Sequence, residues 1–251
     1  MVKQEPKSPA AEAIRSLRTN LQYVSLDRPL KHVMVTSAGP DEGKTSIVAN
    51  LAASLAESGR RTLAVGVDLR KPTLHKVFDL PNRVGLTNVL LGQLRLREAL
   101  QETGVEGLKL LDAGPVPPNP AELIGSAAMA DVVKEINDSC DIAIYDAPPV
   151  MAVTDAVLLS RHMDGVLLVV AINETPRELV TRAKEQLEQV QARVLGVVAN
   201  RVPVSGQDYY YYYYYYSNDG DTDAGKRRLN GHARPSLSRM LARLVGRGVP
   251  R

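Results

Sequence analysis

Hydrophobic residues along this chain follow two alternating patterns. Short runs rich in Val, Ile, Leu and Ala alternate with longer segments in which apolar residues recur every three or four positions, the spacing of a helix. The short runs lie at 31–37, 61–67, 108–112, 141–146, 165–172 and 194–200. Strand and helix patterns that alternate in this way predict an α/β fold with three layers, in which a mostly parallel central sheet is flanked by helices.

A separate helix is predicted before the first strand. A Ser-Pro pair forms a good start signal and apolar residues then recur at helical spacing, so we expect an amphipathic helix over 9–22. Glu12, Arg15 and Arg18 stand three residues apart on its polar side. Taken alone, these charges are most simply interpreted as a solvated face.

The most specific motif follows the first strand and precedes a helix pattern. Its residues are Ala38, Gly39, Pro40, Asp41, Glu42, Gly43, Lys44, Thr45 and Ser46. This is a phosphate-binding loop pattern, with Ala38 where the general pattern has Gly. Backbone N–H groups of such a loop bind polyphosphate at the helix N-terminus, while Lys44 would reach the β- and γ-phosphates and the Thr45 hydroxyl would bind Mg²⁺. We therefore expect Gly39 to Ser46 to bind a nucleotide; a glycine-containing turn with a solvated lysine is the alternative.

Polar residues close three other predicted strands. Ligands of such sheets bind beyond the carboxyl ends of the strands, where Asp68 and Asp146 lie. Either aspartate alone could cap a helix, but with Thr45 the pair predicts a Mg²⁺ site, because Mg²⁺ favours one or two carboxylates together with phosphate oxygens. Asn200 closes the last strand, where its amide could read a nucleotide base or simply form a turn.

Composition limits the remaining possibilities. The chain has 251 residues and a single cysteine, so no internal disulfide is possible and a reducing cytosol is expected. The longest apolar run, Val166–Ile172, is far shorter than the roughly 20 residues of a membrane-spanning helix, so we expect a soluble chain. The net charge is +3, but residues 226–251 carry eight basic and no acidic residues, so the remainder is acidic.

The C-terminal part departs from the globular pattern. Eight consecutive tyrosines occupy Tyr209, Tyr210, Tyr211, Tyr212, Tyr213, Tyr214, Tyr215 and Tyr216. No strand or helix could bury all eight on one face, so an exposed, disordered segment is predicted over 204–225. Such a cluster could stack on nucleic acid or sugars, or accept phosphate. Residues 226–251 predict a basic amphipathic helix that could lie on anionic lipid or pack on the body, with nucleic acid a weaker third possibility.

With these motifs together, the sequence resembles the bacterial tyrosine kinases of capsule and exopolysaccharide synthesis, relatives of the MinD and ParA-type P-loop ATPases. The resemblance is carried by the phosphate loop, by 12–20 (EAIRSLRTN), 68–72 (DLRKP), 114–123 (GPVPPNPAEL), 144–150 (IYDAPPV), 153–156 (VTDA) and 200–202 (NRV), and by the tyrosine cluster. It implies four parts: a subunit-association helix in 1–30, an ATP-binding kinase domain in 31–203, the tyrosine tail and the basic segment.

The resemblance also implies a reaction and a set of roles. Tyrosines of the tail would accept the γ-phosphoryl group of ATP from a neighbouring subunit in a ring, in which Glu12 of one copy meets Arg15 and Arg18 of the next. Lys44, Asp68, Arg70 and Asp146 would be catalytic, Thr45, Asp68 and Asp146 would hold Mg²⁺, and Asn200 and Arg201 would contact the nucleotide. The implied partners are a membrane-spanning polysaccharide co-polymerase as activator and a tyrosine phosphatase, with no nucleic acid. The chain would be cytoplasmic, at the inner face of the plasma membrane.

Two residues depart from the family pattern. Gly66 stands where the family has the first acid of an acid-x-acid motif, and Asp41 stands in the loop where the family tends to have Gly. A missing proton acceptor can cost about 10²–10⁴ in rate, so a weak or inactive pseudokinase that acts as an ATP-dependent switch is the alternative function. On this reasoning, Gly66→Asp is expected to raise autophosphorylation. A partition-type ATPase is disfavoured, because it would need a second lysine early in the loop.

Overall fold

The structure, a computed structural model, describes residues 8–24 and 29–203. The predictions made for 204–225, including the eight tyrosines, and for 226–251 lie outside the described residues. The elements are α1 (Pro9–Val24), β1 (His32–Ser37), α2 (Lys44–Glu57), β2 (Thr62–Gly66), α3 (Leu74–Val77), α4 (Leu86–Leu90), α5 (Leu96–Ala99), β3 (Gln101–Glu102), β4 (Leu108–Leu111), α6 (Pro120–Ile124), α7 (Ala127–Ser139), β5 (Ile142–Asp146), α8 (Asp155–Ser160), β6 (Gly165–Ala171), α9 (Arg177–Gln189) and β7 (Val194–Asn200).

Within these ranges the strands form one seven-stranded sheet in the order β3-β4-β2-β5-β1-β6-β7. Every neighbouring pair is parallel except β3 and β4. The α/β fold and the six predicted strands are confirmed, and the predicted first helix is α1. The strand β3 has no signal in the sequence, because two residues are too few to show any alternation. It pairs with β4 through the register Gln101↔Leu110 and Glu102↔Lys109.

The strands β1, β2, β5 and β6 are buried on both faces, which explains why they are nearly continuous apolar runs. In β1, Val33 and Val35 point to a core shared with α1, α2 and α3, whereas Met34 points to a second core under α4 to α9. This alternation follows from the two-residue period of a strand. Three layers result, and the single cysteine, Cys140, lies buried in the second core.

The first helix packs on the body of the same chain. Ala11, Ile14 and Leu21 are its buried residues, and Ile14 lies against the half-buried Ile47 of α2. None of the helices in the described ranges is both long and apolar enough to cross a membrane.

Candidate active site

The loop between β1 and α2 is held in an unusual backbone conformation. Gly43 has φ 88° and caps α2, and Asp41 has φ 58°. Both angles are left-handed, a region that glycine adopts freely and aspartate tolerates better than most residues. At Gly43 a side chain is excluded in any case, since a Cβ there would lie 2.2 Å from Nδ2 of Asn200.

Side chains from the neighbouring strands brace this loop. The buried Glu42 carboxylate accepts hydrogen bonds from the backbone N–H of Gly39 (2.5 Å) and from that of Ala171 at the end of β6 (3.1 Å). Asn200, at the end of β7, donates its amide to the Glu42 carbonyl (2.8 Å). Glu42 therefore holds the loop with its side chain and leaves only its backbone to face a phosphate, and the amide of Asn200 is engaged by the loop rather than turned toward a base.

An open cleft lies over the loop. It is lined by Pro40, Asp41, Gly43, Lys44, Thr45, Ser46, Asp68, Lys71, Thr73, Pro149 and Arg201. Arg201 has φ 53°, donates to the Asp41 carbonyl (2.6 Å) and pairs with Glu174. Six of the predicted loop residues thus line one cleft together with Asp68 and Arg201, whereas Gly39, Glu42 and Asn200 do not line it.

A hydroxyl and a carboxylate meet at the base of the cleft. The Thr45 hydroxyl donates to Oδ2 of Asp146 (2.7 Å), while Oδ1 of Asp146 is buried without a hydrogen-bond partner. An unpartnered buried carboxylate oxygen beside a threonine hydroxyl fits the needs of Mg²⁺, which binds oxygen ligands and usually completes its shell with water and phosphate. Among the described residues, no group of three or more His, Cys, Asp or Glu is placed to hold a metal ion.

The environment of Asp146 disfavours its charge. Burial raises the pKa of Asp146 to about 6; Lys44 and the Thr45 hydrogen bond oppose this shift, and the nearby Asp68 and Asp112 add to it. A cation bound beside this carboxylate would reverse the effect, because an opposite charge favours the ionised form.

Asp68 lies beside the loop lysine. Its Oδ2 is 3.9 Å from Lys44 Nζ, and its Oδ1 accepts from the backbone N–H groups of Arg70 (3.2 Å) and Lys71 (2.9 Å). The backbone N–H groups of Val67 and Asp68 both bond to the Asp146 carbonyl. Asp68 is therefore fixed by its own turn and tied to the strand that carries Asp146.

Comparison with known proteins identifies the arrangement. Residues 33–211 match the family described as the CobQ/CobB/MinD/ParA nucleotide binding domain. The tyrosine-protein kinase YwqD of Bacillus subtilis is 43% identical over 206 residues, which cover 82% of this chain and 87% of that protein. This chain belongs to the bacterial tyrosine-kinase family.

Solved structures of this kinase family and of its wider P-loop relatives have the same fold. The kinase domain of the Escherichia coli tyrosine kinase ETK superposes with a TM-score of 0.78 at 32% identity, covering 82% of this chain and 81% of that one. MinD of Pyrococcus horikoshii complexed with Mg-ADP superposes with a TM-score of 0.60 at 25% identity, covering 71% and 73%. Nucleotide and Mg²⁺ binding are thus properties of the P-loop family to which the kinase domain belongs.

One residue of the kinase motif lies elsewhere than expected. Arg70 was predicted to be catalytic, but its guanidinium makes a bidentate pair with Asp155 (Nε–Oδ2 2.9 Å, Nη2–Oδ1 3.0 Å), and it does not line the cleft. Asp155 is only 1% exposed, so this pair joins two motifs of the family, 68–72 and 153–156. The planar fork of arginine matches a carboxylate in this geometry, which gives Arg70 a structural role here.

Three cleft residues are not among the predicted site residues: Lys71, Thr73 and Pro149, which lies three positions after Asp146. Lys71 lines the cleft three residues beyond Asp68, and the Thr73 hydroxyl is 3.3 Å from that of Thr45. Their signal in the sequence was only their position after a strand end, which is where ligands bind in such sheets.

A side chain at Gly66 would collide with the neighbouring strand end, which changes the expectation for Gly66→Asp. A Cβ at Gly66 would lie 2.2 Å from Oδ1 of Asp112 and 3.1 Å from the backbone nitrogen of Ala113. The place that a side chain at 66 would need is already filled, so Gly66→Asp alone is no longer expected to raise activity.

The charged face of α1 is engaged within the chain. Glu12 and Arg15 pair with each other, and Arg18 donates to the carbonyl of Ser54 in α2 (2.8 Å) and approaches its hydroxyl (3.3 Å). A role of these three residues between subunits would require Glu12 and Arg15 to exchange this contact for one to another copy.

Proposed function

We propose that this chain is an ATP-dependent protein-tyrosine autokinase whose acceptors are Tyr209–Tyr216 of a neighbouring copy. The observation that carries the proposal is the contact of the Thr45 hydroxyl with Asp146 at the base of a phosphate loop, with Lys44 near Asp68 at its mouth. Membership of the bacterial tyrosine-kinase family supports it, and so does the run of eight tyrosines beyond the kinase domain.

The residues of the cleft have separate tasks in this reaction. The backbone N–H groups of the loop bind the phosphates, and the Lys44 ammonium balances charge on the β- and γ-oxygens. The Lys44–Asp68 contact is long at 3.9 Å, so a phosphate oxygen can replace it at small cost. Thr45, Asp68 and Asp146 would hold Mg²⁺, which when bound supplies positive charge at the phosphate oxygens.

Transfer itself needs few covalent steps. The phenol oxygen of a tail tyrosine bonds to the γ-phosphorus, the bond from that phosphorus to the bridging oxygen breaks, ADP leaves, and the phenol proton is released. Such transfer depends mostly on positioning and on charge stabilisation. The bracing of the loop by Glu42 and Asn200 provides that positioning, because it holds the loop backbone from two neighbouring strands.

Modification of the tail would change its charge strongly. Each phosphotyrosine carries about −1.5 to −2 charges, so eight would add roughly −12 to −16. We propose that the copies form a ring through α1 and that repulsion between modified tails opens it. The ring would regulate capsule or exopolysaccharide polymerisation and export through a membrane-spanning co-polymerase, at the inner face of the plasma membrane, and a tyrosine phosphatase would reset it. Equal sedimentation of phosphorylated and phosphatase-treated protein would contradict this switch.

A second function is a nucleotide-dependent switch without phosphoryl transfer. The absence of a side chain at Gly66, which ends β2 and pairs with Asp146, favours it. In that case ATP occupancy alone would change binding to the membrane partner. The two functions share the cleft and differ in whether the tail is modified.

Incubation with Mg-ATP followed by mass spectrometry of the tail peptide separates them. We expect phosphate on the tail of the wild type and none on that of Lys44→Met when this variant is incubated by itself. Lys134→Met is the control, because Lys134 is exposed and pairs with Asp131, and its tail should be phosphorylated. A size-tagged Lys44→Met chain mixed with wild type should become labelled, because transfer occurs between copies. If the wild-type tail stays unmodified while the protein binds ADP, the switch function is favoured. If the wild type does not bind nucleotide, both functions are rejected.

A further inference from the structure

Asp112 is a buried acidic residue that the proposed reaction has not used. It follows β4 directly and is fully shielded from solvent. Its Oδ1 has no hydrogen-bond partner and lies 2.2 Å from the position that a Cβ on Gly66 would take. A buried carboxylate oxygen without a hydrogen-bond partner is costly, so its placement beside Gly66 at the end of β2 requires an explanation.

The strand register places Asp112 beside the metal site. Gly66 pairs with Asp146, and Val65, one residue earlier, pairs with Leu111. Asp112, Gly66 and Asp146 are therefore neighbours across three adjacent strand ends.

The other oxygen of Asp112 anchors the segment that carries Asp68. Oδ2 accepts from the backbone N–H of His75 (3.1 Å) and lies 2.6 Å from its Nδ1, a close contact that is not aligned as a hydrogen bond. His75 is in the first turn of α3, and Thr73, just before that helix, has its hydroxyl 3.3 Å from Thr45. Asp112 thus ties the far end of the turn that begins at Asp68 back to the sheet.

The backbone of Asp112 is held in place by the segment that begins α4. Its backbone carbonyl accepts from the N–H of Leu86 (2.7 Å), and Gly85 packs so closely that a Cβ there would lie 2.1 Å from the same carbonyl. Such a fixed backbone leaves the side chain little freedom to relax away from Gly66.

We propose that Asp112 is a positioning residue of this site. From β4 its carboxylate fills the place of a side chain on Gly66, supplies the acidic group next to Asp146, and through His75 fixes Lys71 and Thr73 over the phosphate loop. The proposal deepens the proposed kinase function and rests on it for the phosphorylation measurement, whereas the nucleotide-binding measurement is independent of transfer.

A carboxylate swap tests the proposal with four variants. Asp112→Asn removes the charge and keeps the shape, Asp112→Ala removes the carboxylate, Gly66→Asp adds one in the filled space, and the double variant Gly66→Asp/Asp112→Ala moves it from β4 to β2. Asp131→Ala, an exposed aspartate of α7, is the matched control. For each variant we would measure the melting temperature, ADP affinity by calorimetry with Mg²⁺ and with EDTA, and tail phosphorylation.

In Asp112→Asn and Asp112→Ala, we expect the Mg²⁺-dependent gain in ADP affinity to fall about tenfold. Tail phosphorylation should fall at least tenfold. Gly66→Asp should lower the melting temperature, because its carboxylate meets that of Asp112. The double variant should regain affinity and phosphorylation to within about fivefold of wild type, and Asp131→Ala should match wild type.

Three results would overturn the proposal. One is a double variant as defective as Asp112→Ala or unable to fold, since the two positions would then not be interchangeable. The second is Asp112→Asn with wild-type affinity in Mg²⁺, which would reduce Asp112 to a packing role. The third is an equal loss of affinity in Mg²⁺ and in EDTA. If the wild-type tail takes up no phosphate, the kinase function fails but the affinity comparison still decides the role of Asp112.

Discussion

Asp146→Asn should stabilise the nucleotide-free protein while abolishing phosphorylation. Asp146 is 2% exposed, and burial raises its pKa to about 6 from 3.8. The folded state therefore favours the protonated form. The stability that Asp146 contributes is fully present below pH 3.8 and is lost as the pH rises through about 6. Asparagine keeps the shape and an oxygen that can accept from Thr45, but has no charge to bury.

The size of the effect follows from this shift. A shift of one pKa unit corresponds to about 1.4 kcal/mol, so the raised pKa of Asp146 costs the folded state about 3 kcal/mol at pH 7.5 and about 2 kcal/mol at pH 5. The advantage of Asn over Asp in free energy of unfolding should therefore grow by roughly 1 kcal/mol between these pH values. That is a large fraction of the stability of an ordinary domain.

The assay is urea unfolding followed by far-UV circular dichroism, since the chain has no tryptophan. It should be run in EDTA at pH 5, 6.25 and 7.5. Asp141→Asn is the matched control, because Asp141 immediately precedes the same strand but hydrogen bonds from Arg61 lower its pKa. Its removal should cost stability at every pH used. If the advantage of the Asp146→Asn variant stays flat or shrinks as the pH rises, the reasoning is refuted.

Three further variants test other parts of the structure. Asp41→Gly should raise ADP affinity about two- to fivefold in calorimetry, because it removes a negative charge and a left-handed non-glycine residue from the loop. Asp79→Gly is the control, since Asp79 also has a left-handed backbone (φ 56°) but does not line the cleft. Equal gains in affinity for the two variants would contradict this reasoning. Arg70→Ala should lower the free energy of unfolding by about 1–2 kcal/mol, which is less than for a fully buried ion pair because the Arg70 side chain is 39% exposed. Arg70→Lys should recover part of this stability. An unchanged melting temperature in Arg70→Ala would argue against the structural role. Burial lowers the pKa of His32, so the wild type should lose stability relative to His32→Gln as the pH falls below about 6.5. If the free energies of unfolding of the two proteins change with pH in parallel, this effect is excluded.

The sequence was sufficient where the signal is local or periodic. The phosphate loop is contiguous, and its glycines and lysine have a spacing with a direct chemical meaning. The strands emerge from their apolar runs, and the rule that ligands bind beyond parallel strand ends then selects Asp68 and Asp146 although they lie far apart along the chain. Thr45 and Asp146 are in fact 2.7 Å apart, oxygen to oxygen.

The sequence was insufficient where a side chain could choose between partners. Glu42 and Arg70 both belong to motifs that suggest contact with phosphate, yet Glu42 turns inward to the backbone of β6 and Arg70 pairs with Asp155. Nothing in the local sequence distinguishes a carboxylate or guanidinium that faces a ligand from one that braces the loop beneath it. That choice depends on which unpaired groups the neighbouring strands present, because buried polar groups must be satisfied.

By itself the sequence determined the fold class, the phosphate loop and the placement of Asp68 and Asp146 at neighbouring strand ends, because each follows from periodicity, contiguous spacing or the general geometry of parallel sheets. Only the tertiary structure decided what stands beside Gly66. The order of β4, β2 and β5 and their register bring the carboxylate of Asp112 into the space that the glycine leaves. Adjacency across a sheet arises from strand order rather than from distance along the chain. The space left by the missing side chain of Gly66 can therefore be occupied by the side chain of Asp112, 46 positions away.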